Sequence, residues 1–551
     1  MKRAALLVVA AALAGCGTAK DDVSPNSPRV IEDASIGSAA PDGIAFEGRK
    51  AVVVALASAD CPVSKLYGPK LKRLEAELAA RGVGVVVIAC NTGRREAVVE
   101  ALGARRTTEV FLFDAKKSLR YRGAIDDQYG LDYHRDAPTK TFLLDAVEAV
   151  LAGREPGVKA TEAPGCAIER EVKETKAVTF HKDVEPIFQR RCQECHRPGE
   201  IGPFALTSYE SARKNSRMIK EVVASRRMPP WHADPKHGSW ENDRRLSDGE
   251  IDTVAKWVDG GAPAGDAKDA PAPREWPKGW RIGTPDKVYE TKEYRVPAEG
   301  AIPYRYVEVK TDLTEDVWVQ AMEVRPGARK QVHHILVFVQ YPAKRMREQS
   351  PIDGGLFYGY FAVMVPGEQP NVFPEGMGKK VPAGATFIFQ IHYTPNGEEA
   401  RDRSSIGLVF AKKPATDEVV TRGIINQGIK IPPGASNHRE QATFTFTHDA
   451  KILSFMPHLH VRGKAFRYVA IHADKREEVL LDVPAYDFNW QTTYRLKEPK
   501  VVAKGTKIRC EVIYDNSAKN AANPDPKKTV YYGEQTWEEM LNGYVDFVKV
   551  K

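Results

Sequence analysis

The strongest constraint on this chain is the segment Cys192-Gln-Glu-Cys195-His196. Two cysteines at this spacing followed directly by histidine form the attachment pattern of a c-type haem, in which both thiols bind the porphyrin and the imidazole binds the iron. A C-x-x-C pair alone also fits a redox or zinc motif, and the following histidine favours haem. We therefore expect Cys192 and Cys195 to hold haem c covalently, with His196 as an axial ligand.

The sequence on both sides of this motif has helical spacing. The apolar residues of the two predicted helices are Val184, Ile187, Phe188, Ile251, Val254, Trp257 and Val258. Residues 176–266 thus resemble a class I cytochrome c, which implies a small all-α domain. Met228 is the expected sixth iron ligand because the prolines after it fix the backbone of its loop, and His232 is the alternative. A packing role for Met228 also stays open.

Length and charge exclude some classes of function. A chain of 551 residues is too long for one core and predicts about three domains. The net charge of +8 is spread along the chain without a run of Lys or Arg, so we expect no nucleic-acid partner.

The N-terminus has the pattern of an exported protein. Lys2 and Arg3 precede a short apolar run, and Leu-Ala-Gly-Cys16 resembles the lipobox of bacterial lipoproteins. An ordinary signal peptide with an incidental cysteine is the alternative. We expect residues 1–16 to be a signal peptide with Cys16 lipidated and residues 17–34 to be a flexible tether. The resemblance implies a lipid-anchored protein of the cell envelope that faces the periplasm, on the outer membrane if the cell is Gram-negative.

Residues 35–172 alternate strand and helix patterns. The runs 51–58, 83–89, 110–114 and 140–145 are predicted strands, and the alternation indicates a mainly parallel sheet. Cys61 stands at a strand-to-helix junction, where a helix N-terminus favours the thiolate. The segment resembles the redoxin branch of the thioredoxin fold, which implies a redox role for Cys61 with Cys166 as a candidate resolving partner. Ser64 replaces the second cysteine of C-x-x-C, so a redoxin kept only as scaffold is the alternative.

The C-terminal part is rich in short β patterns and in clustered histidines. After a predicted linker at 267–299, we expect a pair of antiparallel β-sandwiches at 300–415 and 416–551. His458 and His460 are two apart on a predicted strand and share a face. His333 and His334 are adjacent, so their joint use needs a bulge or different ring nitrogens, with His392 supplied by a neighbouring strand.

These motifs resemble the copper type II, ascorbate-dependent monooxygenases over about residues 300–550. The resemblance implies two copper ions, one held by His333, His334 and His392 and the other held by His458, His460 and Met540. Imidazole with thioether suits a metal that cycles between Cu(I) and Cu(II). It further implies O2 and an organic substrate as reactants.

The combination predicts a multidomain oxidoreductase in which the haem passes electrons to copper and an external donor reduces the haem. A lipoprotein that only carries electrons or binds copper is the main alternative. Peroxide removal by Cys61 is the third.

Overall fold

The computed structural model describes residues 28–90, 96–130, 133–168, 178–343 and 359–550. The predicted signal peptide and Cys16 lie outside these ranges. Residues 28–34, the end of the predicted tether, are fixed to the protein: Val30 forms a β-bridge with Thr161, and Asp33 pairs with Arg105 at 2.7 Å. Within the described ranges, no helix combines the length and apolar composition that crossing a bilayer requires.

The N-terminal unit is a thioredoxin-like α/β domain. Its elements are β1 (Ala51–Ala57), α1 (Pro62–Ala80), β2 (Val83–Ala89), α2 (Glu96–Ala101), β3 (Val110–Asp114), β4 (Leu119–Gly123) and α3 (Phe142–Leu151). The strand order is β2-β1-β3-β4, and apolar clusters cover both faces of the sheet.

Two predictions for this unit were wrong. The sheet is not mainly parallel, because only β1 and β2 run parallel, whereas β3 and β4 are antiparallel to their neighbours. The segment 140–145 is not a strand, because its apolar run continues into α3, where Phe142, Leu143, Ala146 and Val147 are buried at helical spacing. A short apolar run alone does not distinguish the two structures.

Short helices surround the C-x-x-C-H motif. They are a π-helical turn (Phe180–Val184), α4 (Glu185–Arg191), α5 (Tyr209–Lys214), α6 (Ser216–Ala224) and α7 (Asp248–Asp259), followed by a 3-10 turn (Ala267–Asp269). The predicted apolar faces are confirmed, since Phe188, Val254 and Trp257 are fully buried in one cluster. A capping box between Ser247 and Glu250 starts α7 and satisfies its first backbone N–H groups.

The C-terminal region is rich in β-structure. Its strands are β5 (Lys287–Glu290), β6 (Tyr294–Val296), β7 (Arg305–Lys310), β8 (Val317–Arg325), β9 (Val332–Gln340), β10 (Ala362–Met364), β11 (Asn371–Val372), β12 (Met377–Val381), β13 (Thr386–Tyr393), β14 (Ala400–Asp402), β15 (Ser405–Phe410), β16 (Asp417–Ile425), β17 (Lys430–Ile431), β18 (His438–Thr445), β19 (Ala450–His458), β20 (Gly463–Ile471), β21 (Glu477–Val483), β22 (Tyr494–Val502), β23 (Lys507–Tyr514), β24 (Val530–Tyr531) and β25 (Asn542–Lys549).

One long sheet joins the two halves of this region. Its order is β22-β19-β25-β16-β12-β8-β15-β5, and β12 pairs with β16 where the halves meet. A four-stranded sheet, β10-β9-β13-β7, packs on the first half, and β18-β23-β20-β21 packs on the second. The predicted linker 267–299 contains β5 and β6, because Tyr289 and Val296 are buried in the first core.

Candidate functional site

Three histidines meet at a β-bulge. In the pairing of β9 with β13, His334 lies opposite His392, and the next pair, Tyr393 with Val332, skips His333. The bulge, one of the two arrangements expected to let adjacent histidines act together, is therefore present. The candidate ligand nitrogens of these three side chains lie within 4.8 Å of one another.

The second pair of histidines lies at the end of β19. His458 is the last residue of this strand and pairs with Asn542 of β25. His460 follows in the turn and not on the strand, yet the two rings remain 5.3 Å apart between centroids. The Nδ2 atom of Asn542 donates to the sulfur of Met540 at 3.2 Å, which ties the predicted thioether ligand to the strand that faces His458.

Both sets belong to one group of buried rings, which we call the histidine cluster: His333, His334, His392, His458 and His460. The centroids of His334 and His458 are 6.0 Å apart, so the two predicted ligand sets are in ring contact. None of the five side chains is more than 9% exposed.

The histidine cluster offers neutral imidazole rings, which is the protonation state that a metal site needs. Burial lowers the pKa of all five rings, to about 4 for His333 and His458, so the rings are neutral at physiological pH. Four ring nitrogens are buried without a hydrogen bond to any described residue: Nε2 of His333, His334 and His460, and Nδ1 of His392. Neutral imidazole with a free nitrogen is the form that binds copper.

Neighbouring groups orient these rings. The Nδ1 atom of His458 donates to Oε1 of Gln491 at 2.6 Å, and Nδ1 of His460 donates to the carbonyl of Glu538 at 3.2 Å. Such bonds fix the tautomer and direct Nε2 toward a ligand. Neither Gln491 nor Glu538 was among the predicted site residues, since nothing in the sequence relates Gln491 to a histidine 33 positions away.

Glu539 holds the backbone of the second pair. Its carboxylate accepts the backbone N–H of His460 at 2.9 Å and of Arg462 at 2.7 Å. Burial raises the pKa of Glu539 to about 7, against the opposing charge of Arg462. The only clue in the sequence was the position of Glu539 directly before Met540.

A cavity of about 600 Å³ lies against the C-x-x-C-H motif, and we call it the motif cavity. Cys192, Cys195 and His196 line it, together with Met228 and His232. The structure therefore brings every residue of the predicted haem site to one cavity.

His196 is oriented within the motif cavity by its other ring nitrogen. Its Nδ1 atom donates to the carbonyl of Phe204 at 3.0 Å, which leaves Nε2 free to act as a ligand. Gly202 packs so closely that a Cβ there would lie 2.5 Å from the carbonyl oxygen of Cys195 and 2.9 Å from Nδ1 of His196.

All three parts of the chain line the motif cavity. Pro62 and His134 come from the N-terminal unit, and Asp487, Asn489 and Trp490 come from the C-terminal region. His134 was not among the predicted site residues either, because a single histidine in a loop has no distinguishing pattern. Burial lowers its pKa, and its proximity contributes to the lowered pKa of His392 in the histidine cluster.

The loop 487–491 separates the motif cavity from the histidine cluster. Three of its residues line the cavity, while the ring of Phe488 stacks on His333 at 5.2 Å with an interplanar angle of 18°. The same ring contacts His392 at 5.7 Å and His460 at 6.1 Å. One short loop is therefore the shared wall of both candidate sites.

Cys61 lies at the N-terminus of α1, as predicted, and is 1% exposed. Burial favours the neutral thiol, but hydrogen bonds from Cys166 and Thr107 outweigh it and lower the pKa of Cys61 to about 6. The backbone N–H of Cys166 donates to the Cys61 sulfur at 3.3 Å. Burial raises the pKa of Cys90 to about 11, so this thiol stays protonated at neutral pH.

Two family models match the chain. Residues 39–163 match the redoxin family, and residues 419–550 match the C-terminal domain of the copper type II ascorbate-dependent monooxygenases. His458, His460 and Met540 lie within the second match, and Cys61 lies within the first. The matches describe a redox protein with copper-monooxygenase-like features and imply copper binding.

Among curated proteins, none matches the chain. A hypothetical protein from Sinorhizobium meliloti 1021 is 24% identical and covers 26% of this chain and 97% of its own, with a TM-score of 0.23. An uncharacterized conserved protein from Geobacillus kaustophilus is 23% identical and covers 25% of this chain and 92% of its own, with a TM-score of 0.22.

Proposed function

We propose that this chain is a copper-dependent monooxygenase that hydroxylates an organic substrate with O2 and receives its electrons from a c-type haem in the same chain. Copper, when bound, would supply O2 activation, and haem would supply one-electron carriage. The observation that carries the proposal is the loop 487–491, because it lines the motif cavity and contacts the histidine cluster.

The residues of the motif cavity fit a covalently held haem. Two thiols and a histidine with a free Nε2 line the same space, whose volume lies within the range of cofactor sites. Two sixth-ligand candidates, Met228 and His232, are also on its wall, and Nε2 of His232 makes no hydrogen bond to a described residue. We propose Met228 as the sixth ligand because a thioether ligand raises the reduction potential of a haem, which favours its reduction by an electron donor. In this proposal, the short helices around the motif cavity form a cytochrome-like domain.

The residues of the histidine cluster fit copper. Neutral imidazoles with unpaired nitrogens and the thioether of Met540 form a donor set that tolerates both oxidation states of copper. His333, His334 and His392 would hold one ion, and His458, His460 and Met540 the other. Gln491 and Glu538 would keep the rings of the second set in place.

The loop 487–491 would keep the two redox sites at short range. Phe488 stacks on His333, while its chain neighbours Asp487 and Asn489 line the motif cavity. Electrons that pass from a haem in the motif cavity to copper in the histidine cluster would therefore cross this one loop and not a solvent-filled gap. A further external donor must supply the haem.

The proposed location is the cell envelope, with Cys16 lipidated and the folded part facing the periplasm. Support comes from the sequence of residues 1–16 and from the fact that thiol attachment of haem follows export. Labelling with a radioactive fatty acid, lost in Cys16→Ala, tests this assignment.

A second function is favoured by one observation. All five rings of the histidine cluster are buried, and Met540 is only 6% exposed. A buried cluster suits a protein that carries electrons or holds copper without hydroxylating a substrate. Mass spectrometry after incubation with O2 distinguishes the two functions, since a gain of one oxygen atom by a peptide or catecholamine supports the enzyme.

Anaerobic stopped-flow mixing tests the electron path. Protein with ferrous haem is mixed with Cu(II), and we expect the haem to be reoxidised in the wild-type protein but not in His333→Ala. His438→Ala is the matched control, because His438 pairs with Glu440 away from the cluster and should leave reoxidation unchanged. Haem that stays reduced in the wild-type protein would refute intramolecular electron delivery.

A further inference from the structure

The thiol of Cys61 faces another part of the chain and not solvent. Helix α6 and its flanks pack over the redoxin thiols: Arg106 pairs with Glu221 at 3.3 Å, Arg217 donates to the carbonyl of Ile168 at 3.0 Å, and Lys214 pairs with Asp60. A peroxidase thiol would need an open approach for peroxide. Cys61 is instead covered by the helical segment that carries the motif cavity.

A line of sulfur contacts leads from Cys61 to this cavity. The backbone N–H of Cys166 is 3.3 Å from the Cys61 sulfur, and the sulfur of Cys166 is 3.3 Å from the sulfur of Met218. Met218 is buried and lines the motif cavity, as do Pro62 and Val63, the two residues that follow Cys61. Three sulfur atoms of two different units therefore connect the redoxin thiols to the predicted haem site.

We infer that Cys61 and Cys166 form a two-electron dithiol store that reduces the haem of this chain. The inference rests on the haem of the proposed function and names its electron donor. It also gives the redoxin unit a task that neither a scaffold nor a peroxidase would perform.

The Cys61 thiolate and the Cys166 thiol lose two electrons and one proton as a sulfur–sulfur bond forms between them. Ferric haem accepts these electrons one at a time, and the first must pass on to Cu(II) or another acceptor before the second follows. Two electrons are what one hydroxylation with O2 consumes, so one dithiol oxidation corresponds to one turnover.

The chemistry of the two thiols suits such a cycle. Dithiol pairs are strong reductants, whereas a haem with histidine and methionine ligands has a raised potential, so electron flow toward the haem is downhill. An external dithiol protein would restore the store by thiol–disulfide exchange. Its thiolate would attack Cys166, which is more exposed than Cys61, and Cys61 would leave as the thiolate that its lowered pKa favours.

A redox titration of the full-length, haem-containing and copper-free protein tests the inference. The protein is reduced with dithiothreitol, freed of it anaerobically, and titrated with ferricyanide while the haem spectrum is recorded. We expect about three oxidising equivalents before the haem stays ferric, one from the haem and two from the dithiol. Early additions should show the haem oxidised and then reduced again, and peptide mapping should find the Cys61–Cys166 disulfide.

Variants separate this inference from its alternatives. Cys61→Ser and Cys166→Ser should each lower the count to about one equivalent, whereas Cys90→Ser should leave it at about three. Full reduction of the haem by ascorbate in every variant verifies that the haem site is intact. An unchanged count in Cys61→Ser, or a disulfide that involves Cys90, would overturn the inference and leave the proposed function standing. Protein without haem would overturn both, and copper chemistry does not enter this test.

Discussion

Replacement of Glu539 by alanine should weaken both the fold and the second copper site. The side chain is fully buried and accepts the backbone N–H groups of His460 and Arg462. Hydrogen bonds to a charged acceptor contribute about 1.5–3 kcal/mol each, so the loss of two should cost about 3–6 kcal/mol of unfolding free energy. This is a large part of the stability of an ordinary domain.

Glu539→Gln should cost roughly half as much, about 1.5–3 kcal/mol, because the amide keeps one acceptor oxygen. Urea denaturation of the copper-free chain at a pH above 7 measures both effects. Copper titration should then show weaker binding at His458 and His460 but normal binding at His333. Glu538→Gln is the control, since His460 uses the backbone carbonyl of Glu538 and not its side chain. A loss below about 1 kcal/mol in Glu539→Ala would refute the reasoning.

Because the pKa of Cys61 is lowered from 9.0 to about 6, the folded state binds fewer protons than the unfolded state between these values. The free energy of unfolding of the wild-type protein, relative to that of Cys61→Ser, should therefore increase as pH rises from about 6 to about 9. Urea denaturation measures both values, and a difference that does not change with pH would contradict the prediction. Gly202→Ala should reduce the amount of covalent haem in a pyridine haemochrome assay, because its Cβ would clash with the carbonyl oxygen of Cys195 at 2.5 Å. Gly249→Ala in α7 is the control and should leave the haem content unchanged, because its Cβ would meet only the hydroxyl of Ser247 at an ordinary contact distance of 4.0 Å. Gln491→Leu removes the hydrogen-bond acceptor of Nδ1 of His458 and should weaken copper binding at that histidine about 10–100-fold. Competition with a chelator measures the affinity, and an affinity equal to that of the wild-type protein would exclude this orienting role of Gln491.

Local patterns in the sequence predicted much of this structure. The helices that flank the C-x-x-C-H motif follow from apolar spacing, and α7 has the expected buried face with Val254 and Trp257. Adjacent histidines on a regular strand would point apart, so their joint use was expected to need a bulge or different ring nitrogens, and the structure has the bulge. These predictions succeeded because each depends on neighbours within a few residues.

Features that depend on distant segments were not predictable. Residues 142–145 of the predicted strand 140–145 instead begin α3, because their apolar side chains are buried at helical spacing, and so short a run does not reveal that preference. The loop 487–491 has no repeating pattern, and its position between two candidate sites arises only when three parts of the chain assemble. His134 and Met218 reach the motif cavity for the same reason.

The measurement that tests the central claim most directly is the haem and copper content of the folded, exported protein, with an EPR spectrum of the copper. We predict one haem and about two type II copper ions per chain, with copper lost in His333→Ala and in His458→Ala. Protein that carries haem but no copper would contradict the monooxygenase account and leave an electron-transfer protein.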